Sequence, residues 1–118
     1  MRWTAFLLLL AMGASGDNVS GKWHGAFRAA GGDHDIPQLI TLQESGTTLK
    51  GSGGPDAREQ YPVANGHIIG DRVHFEITTG EWKLLYDLKL AGQTMAGQLT
   101  FKGATDTRSA QVKLTRAQ

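Results

Sequence analysis

The side chains of this chain that could take part in metal binding or proton transfer are four histidines and a scattered set of carboxylates. Imidazole and carboxylate groups bind metal ions or transfer protons where two or three of them meet. The sequence predicts His24 and His74 on outward strand faces and His34 and His67 in turns, so no pair has the spacing of two ligands on one face. Asp33-His34-Asp35 could bind a metal weakly, but a solvated turn is the simpler interpretation. We predict no metal site.

Motifs of enzyme catalysis are missing from the sequence. It contains no nucleophile elbow, no phosphate-binding glycine loop and no His-Glu helix motif. Asp56, Glu59, Glu76 and Glu81 are available for acid–base chemistry, yet nothing in the sequence buries two of them together, as shifted pKa values would require. We therefore expect neither enzyme activity nor a cofactor.

Residues 1–16 have the pattern of a secretory signal peptide. Arg2 precedes an apolar run over residues 5–12, and the small residues Gly13-Ala14-Ser15-Gly16 follow. That run is far shorter than the roughly 20 residues that a membrane-spanning helix needs. We expect cleavage after Gly16, with cleavage after Ala14 as the alternative, and export to the periplasm or the cell exterior. A buried first helix is the competing interpretation.

The chain beyond the signal peptide suits one neutral domain. Removing residues 1–16 from the 118-residue chain leaves 102 residues, and only Arg2 is lost among the charges, so 11 basic and 11 acidic side chains balance. This balance argues against nucleic acid or an anionic membrane as a partner, because both are bound through clustered Lys and Arg. Without cysteine, the chain has no disulfide, thiolate metal site or lipid-bearing cysteine. We expect a free soluble protein without a membrane span.

Short segments of alternating apolar and polar residues must position the functional side chains of the domain. Over residues 19–27, Trp23 and Phe27 share one face with Gly25 between them, while Lys22 and His24 share the other, as in a half-buried strand. Similar segments recur at a spacing of roughly 10–13 residues, separated by Gly, Asn, Asp and Ser clusters. Many short strands with regular turns indicate an all-β barrel or sandwich.

Turn residues divide the chain into eight predicted strands. The fourth is predicted over 61–64, ending at an Asn65-Gly66 turn, and the polar stretch 53–60 is the longest connection and the one predicted to be mobile. A recurring Gly-apolar-Gly pattern that starts at Gly46, Gly66 and Gly92 predicts hairpins in which the first glycine adopts a positive φ. We predict an eight-stranded antiparallel up-and-down barrel over residues 17–118, with a β-sandwich as the alternative.

Gly21-Lys22-Trp23 resembles the Gly-x-Trp motif of the calycins, the superfamily of lipocalins, fatty-acid-binding proteins and avidins. Arg116, just past Leu114, resembles the lipocalin arginine that covers this tryptophan. The resemblance implies an eight-stranded barrel with Trp23 at its closed end. Only Trp23 and Trp82 lie beyond the signal peptide, which argues against avidin-like biotin binding, and the common lipocalin disulfide is missing. The chain also resembles small exported bacterial proteins of no established activity.

A barrel of eight strands is either filled by its own side chains or holds one small ligand. Small or polar inward residues, namely Gly25, Gln38, Gly97 and Ala110, could leave a cavity. The alternative is a dry core in which Tyr86 reaches the rim and Gln38 lies near an open end. Its predicted lining is Phe27, Gln38, Ile40, Phe75, Trp82, Leu84, Tyr86, Leu99 and Phe101. Gln38 and the Tyr86 hydroxyl would orient the ligand, and Trp82, at the barrel mouth, would stack on it or cap the core.

Two functional hypotheses compete on this basis. In the first, the protein binds a small apolar or amphipathic ligand. In the second, a solid barrel acts as a protein-interaction or inhibitor module through its outer face or the stretch 53–60, with Leu85 and Ile69 as the seed of an apolar patch. An internal cavity of a few hundred Å³ would favour the first, and a filled core with an exposed apolar patch the second.

Overall fold

The computed structural model describes residues 18–28 and 35–117. This part of the chain contains eight strands: β1 (Gly21–Phe27), β2 (Ile36–Ser45), β3 (Thr48–Gly54), β4 (Tyr61–Ile69), β5 (Arg72–Thr79), β6 (Trp82–Ala91), β7 (Thr94–Lys102) and β8 (Thr107–Arg116). Within these two stretches, no helix has the length and apolar character needed to cross a bilayer. The predicted signal peptide and the Asp33-His34 pair lie outside the described residues.

The strands close into one antiparallel barrel in chain order. Each strand pairs with its neighbours in sequence, and β1 pairs with β8, with Gly25 opposite Leu114 and Phe27 opposite Val112. Gly46 and Gly92 have φ values of 62° and 63° in tight turns, as their repeated pattern predicts. The predicted up-and-down barrel is confirmed, and the sandwich alternative is wrong.

A bulge replaces the turn predicted at Asn65-Gly66. β4 runs through this pair to Ile69 as one strand, and the chain turns at Gly70-Asp71 instead. The register between β4 and β5 shifts between Ala64 and His67, and Asn65 has a positive φ of 51°. An Asn-Gly pair tolerates positive φ in a bulge as well as in a hairpin, so the sequence alone did not distinguish the two.

The end of the barrel that contains the first residues of β1 is closed by Trp23 and Arg116. The Trp23 side chain is fully buried, and its Nε1 donates to the carbonyl oxygen of Val19 at 2.9 Å. The guanidinium carbon of Arg116 lies 4.4 Å from the centre of the Trp23 ring, as the resemblance predicts. Arg116 also donates to the carbonyl oxygens of Asn18 and Ser20, at 2.8 and 2.9 Å. These contacts hold residues 18–20, which precede β1, against the closed end of the barrel.

The opposite end of the barrel carries the longer connections, among them the stretch 55–60 between β3 and β4. Asp56 Oδ1 accepts hydrogen bonds from the backbone nitrogens of Arg58 and Glu59, at 2.9 and 3.0 Å. The Gln60 amide accepts from Ser52 Oγ at 2.8 Å and donates to the carbonyl of Leu39 at 3.1 Å. The connection predicted to be mobile is thus tied to β2 and β3. We call the end of the barrel that carries this connection, opposite Trp23 and Arg116, the open end.

Candidate functional site

The open end contains an apolar outer pocket of about 290 Å³. Its lining residues are Phe27, Ile36, Thr79, Trp82, Leu84, Phe101 and Arg108. The ring centres of Phe27 and Phe101 are 5.1 Å apart, and Trp82 meets Phe101 edge-on with centres 6.4 Å apart. Both separations are in the range of favourable aromatic contacts. We call Phe27, Trp82 and Phe101 the aromatic collar.

Strand register explains why these residues meet although they are distant in sequence. Phe27, at the end of β1, lies opposite Ile36, at the start of β2. Leu84 pairs with Phe101 across β6 and β7, and Phe101 in turn pairs with Arg108 on β8. Because alternate residues of a strand point to the same side, all of these side chains belong to the inward set at one level of the barrel. The collar therefore combines residues of β1, β6 and β7, which neighbour one another in the closed barrel through β8.

A smaller inner pocket of about 180 Å³ adjoins the outer one. It is lined by Ile36, Gln38, Gly53, Gly54, Pro55, Glu59, Tyr61, Ile77, Thr79, Leu84 and Tyr86. Ile36, Thr79 and Leu84 line both pockets, so the two pockets adjoin, and we call them together the recess. The absence of a side chain at Gly53 lets Ile77 pack closely against the wall of this pocket, because a Cβ at Gly53 would lie 2.7 Å from Cδ1 of Ile77.

Gln38 and Tyr86 form a buried polar pair that borders the inner pocket. Their exposed fractions are 7% and 1%, and the Tyr86 hydroxyl donates a hydrogen bond to Oε1 of Gln38. Burial raises the pKa of Tyr86 well above its ordinary value of 10.0, which keeps the phenol neutral and able to donate. The ring of Phe75 stacks on the Tyr86 ring with centres 4.5 Å apart, which fixes the position of the hydroxyl.

The structure brings most, but not all, of the predicted lining residues to this recess. Phe27, Gln38, Trp82, Leu84, Tyr86 and Phe101 line one or both pockets. Ile40, Phe75 and Leu99 line neither, because they are fully buried in a solid core nearer the closed end. Alternation correctly predicts that these three side chains point inward, but it carries no information about depth along the barrel axis.

Sequence reasoning missed the outer-pocket residues Ile36, Thr79 and Arg108, although a signal for them existed. In the inner pocket it also missed Ile77 and the lining residues between positions 53 and 61. Ile36 lies two residues before Gln38, Arg108 two before Ala110, and Thr79 two after Ile77. Extending each inward alternation by one step would have placed all three in the lining. Arg108 carries a charge, and an alternation of apolar and polar residues does not mark a charged residue as inward-facing.

The lining of the recess combines apolar surface with few charged groups. Among the described residues that line either pocket, Arg108 and Glu59 carry the charges, and each has a partner. Arg108 Nε donates to Asp106 at 3.0 Å, and Glu59 accepts a hydrogen bond from the Tyr61 hydroxyl. Such a recess can enclose an apolar molecule and orient it through the Gln38–Tyr86 pair.

No family model matches this chain, and no curated protein or solved structure is significantly similar to it.

A second polar cluster lies on the outer face of the barrel. His67, predicted in a turn, is instead on β4 opposite His74 of β5, and the two rings stack with centres 5.1 Å apart. His74 Nδ1 lies 2.8 Å from Asp87 Oδ1, and its Nε2 lies 3.3 Å from Glu76 Oε2. Nowhere in residues 18–28 and 35–117 do three His, Asp or Glu side chains meet in a group that could hold a metal ion.

Charge pairing within the cluster shifts two pKa values in opposite directions. Partial burial is the largest single influence on His74 and lowers its pKa, but hydrogen bonds and charges from Asp87 and Glu76 outweigh it, so the net pKa is raised. The pKa of Glu76 is lowered, first by the hydrogen bond from Asn65 and then by His74 and Lys83, against the opposing effect of burial. Folding therefore favours the protonated form of His74 and the ionised form of Glu76.

We expect His74→Gln to destabilise the protein near pH 5.5 and to have less effect at pH 9. Because the pKa of His74 is raised on folding, its contribution is fully present below the unfolded value near 6.5 and is lost as the pH rises through the folded value. Paired surface charges of this type contribute about 0.5–1 kcal/mol. Urea unfolding at both pH values measures the effect, with exposed His24→Gln as the control. A loss equal at both pH values would contradict the assignment.

Proposed function

We propose that this protein binds a small apolar or amphipathic ligand in the open end of its barrel. The observation that carries the proposal is the recess formed by two adjoining pockets of about 290 and 180 Å³. Ligand sites in proteins are concave and mostly apolar, with a few placed polar groups. The aromatic collar supplies the apolar surface, and Gln38 and Tyr86 supply the polar groups. The volume suits a molecule about the size of a substituted naphthalene.

The proposed site is confined to the open end. Ile40, Phe75 and Leu99 fill the interior below the recess, each with an exposed fraction of 0%. A ligand that ran the length of the barrel would have to displace these side chains, and cavities in cores packed at native density are costly to create. The ligand therefore occupies the mouth, in contact with the aromatic collar.

Two further proposals concern the family and the location of the protein. The closed barrel, with Arg116 over Trp23 in its first strand, supports a calycin-like assignment. The pattern of residues 1–16 supports export to the periplasm or the cell exterior, and it rests on the sequence alone. Binding at the open end requires neither a cofactor nor a chemical step, in keeping with a carrier or binding protein rather than an enzyme.

No specific observation favours the interaction-module alternative. Within the described part of the chain, Ile69 is a large apolar residue that is exposed, with an exposed fraction of 67%. It pairs with Arg72 on β5, whereas Leu85 pairs with Glu76 on the same strand. Four residues of a strand separate the two levels by about 13 Å. Ile69 and Leu85 therefore do not form the apolar patch that this alternative predicts.

We expect the purified protein to bind N-phenyl-1-naphthylamine, an apolar dye that fluoresces when it leaves water, at one site per molecule. Leu84→Trp should weaken binding by about tenfold or more, because Leu84 lines both pockets and a larger side chain fills them. Leu85→Trp is the matched control, since Leu85 is the outward neighbour on β6. Dye titration measures both affinities, and circular dichroism checks that both variants are folded.

Equal affinities of the two variants would place the dye outside the recess and contradict the proposal. Failure of the wild-type protein to bind the dye would do so as well. If the dye binds as expected, native mass spectrometry of protein from its own host identifies the natural ligand by the mass that co-purifies with it.

A further inference from the structure

A buried hydrogen-bond donor at the inner pocket has no good partner within the described residues. Gln38 is 7% exposed, and its Oε1 accepts the hydrogen bond from Tyr86. Its Nε2 lies 3.5 Å from the carbonyl oxygen of Pro37, at the outer limit of a hydrogen bond. Buried polar groups in native proteins are almost always paired, because an unpaired one loses its hydration without compensation. Gln38 also lines the inner pocket, so a ligand there can reach this donor.

The orientation of the Gln38 amide follows from its two neighbours. If the amide were reversed, its oxygen would face the carbonyl oxygen of Pro37, and two acceptors would repel each other. The nitrogen therefore faces Pro37, and the oxygen faces the Tyr86 hydroxyl. Because burial keeps the Tyr86 phenol protonated, that hydroxyl donates and occupies the amide oxygen. The group that Gln38 offers to the pocket is an N–H donor.

The surroundings of this donor select against an anionic ligand group. Glu59 is the charged residue among those that line the inner pocket, and a carboxylate placed beside Gln38 would be repelled by it. Arg108 lines the outer pocket rather than the inner one, and its Nε is bonded to Asp106 at 3.0 Å. A buried anion without a cationic partner is strongly disfavoured. An ammonium group could pair with Glu59, but it has no acceptor for the Gln38 donor and would leave that donor unpaired.

We propose that the ligand carries a neutral carbonyl oxygen at its inner end, which accepts a hydrogen bond from Nε2 of Gln38. The apolar body of the ligand then lies in the aromatic collar, and its carbonyl belongs to a ketone, an ester or an amide. This inference rests on the proposed binding function and adds the chemical class of the ligand and its direction of insertion. Gln38 is the residue that determines this specificity.

Three naphthalene probes of similar shape test the proposal by displacement of N-phenyl-1-naphthylamine. 2-Acetylnaphthalene has the neutral carbonyl, 2-isopropenylnaphthalene replaces it with an apolar group, and 2-naphthoate replaces it with an anion. We expect Gln38→Leu to weaken 2-acetylnaphthalene binding about tenfold, the equivalent of one hydrogen bond, while leaving 2-isopropenylnaphthalene binding equal or tighter. Gln98→Leu, on the exposed face of β7, is the matched control and should change neither affinity.

Each outcome separates this inference from the binding function on which it rests. A loss that affects the ketone and not the alkene, in Gln38→Leu and not in Gln98→Leu, supports it. Equal losses for both probes, or a wild-type preference for 2-naphthoate, overturn it while the binding function stands. If the wild-type protein binds none of the probes and no dye, both proposals fail. If Gln38→Leu does not fold, the wild-type preference among the three probes decides.

Discussion

Trp23→Ala is expected to destabilise the protein by about 3–5 kcal/mol, far more than Trp82→Ala. Trp23 is fully buried at the closed end, donates to the Val19 carbonyl and lies under Arg116. Truncation leaves a cavity that rigid neighbouring strands cannot collapse, and it removes the ring against which the Arg116 guanidinium rests. Trp82 is only half-buried in the aromatic collar, so its loss should cost about 1–2 kcal/mol.

The same two variants separate stability from ligand binding. Trp82→Ala should weaken dye binding, because it opens the collar, whereas Trp23→Ala should leave the affinity of the molecules that remain folded unchanged. Urea unfolding followed by far-ultraviolet circular dichroism measures stability without relying on tryptophan fluorescence. Equal destabilisation by the two variants would contradict the role of Trp23 as the anchor of the closed end. A domain of this size has only about 5–15 kcal/mol of stability in total, so the expected difference is easily measured.

The inward set of this barrel could be predicted because a strand has a period of 2. Trp23 and Phe27 in β1, and Leu84, Tyr86 and Leu88 in β6, lie at alternate positions of their strands and all point inward. Glycines at the turns predicted the ends of most strands, since a tight hairpin needs positive φ. Local pattern therefore carried both the fold class and the identity of the core residues.

Features that depend on how strands align could not be predicted in this way. The positive φ of Asn65 serves a bulge, and the bulge sets the register that brings His67 beside His74. Depth along the axis is likewise a matter of register, and it separates Leu84, at the open end, from Leu99, in the solid core. Register depends on contacts between segments that are distant in sequence, and the alternation of residues within one segment gives no information about those contacts.

Gly25→Ala is expected to cause a second large loss of stability, because it disturbs the strand pairing that closes the barrel. Gly25 lies in β1 opposite Leu114 of β8, in the pairing that closes the sheet. A Cβ at this position would lie 2.0 Å from the carbonyl oxygen of Lys113 and 3.1 Å from Cδ2 of Leu114. A backbone oxygen cannot rotate away as a flexible side chain can, so β1 and β8 must separate. We expect a cost of about 3 kcal/mol or more, at or above the upper end of ordinary overpacking.

Gly46→Ala provides the matched control for Gly25→Ala, because the same methyl group is added at a site with open space. No atom of the described residues lies within 4 Å of a Cβ at Gly46, and its φ of +62° imposes only the strain of a left-handed alanine, about 1 kcal/mol. Urea unfolding compares the two variants, and amide hydrogen exchange shows where Gly25→Ala opens. Faster exchange in β1 and β8, with the β5–β6 pairing still protected, would locate the damage at the closing pair. Equal stability losses in the two variants would show instead that close approach of the strands at Gly25 does not limit closure.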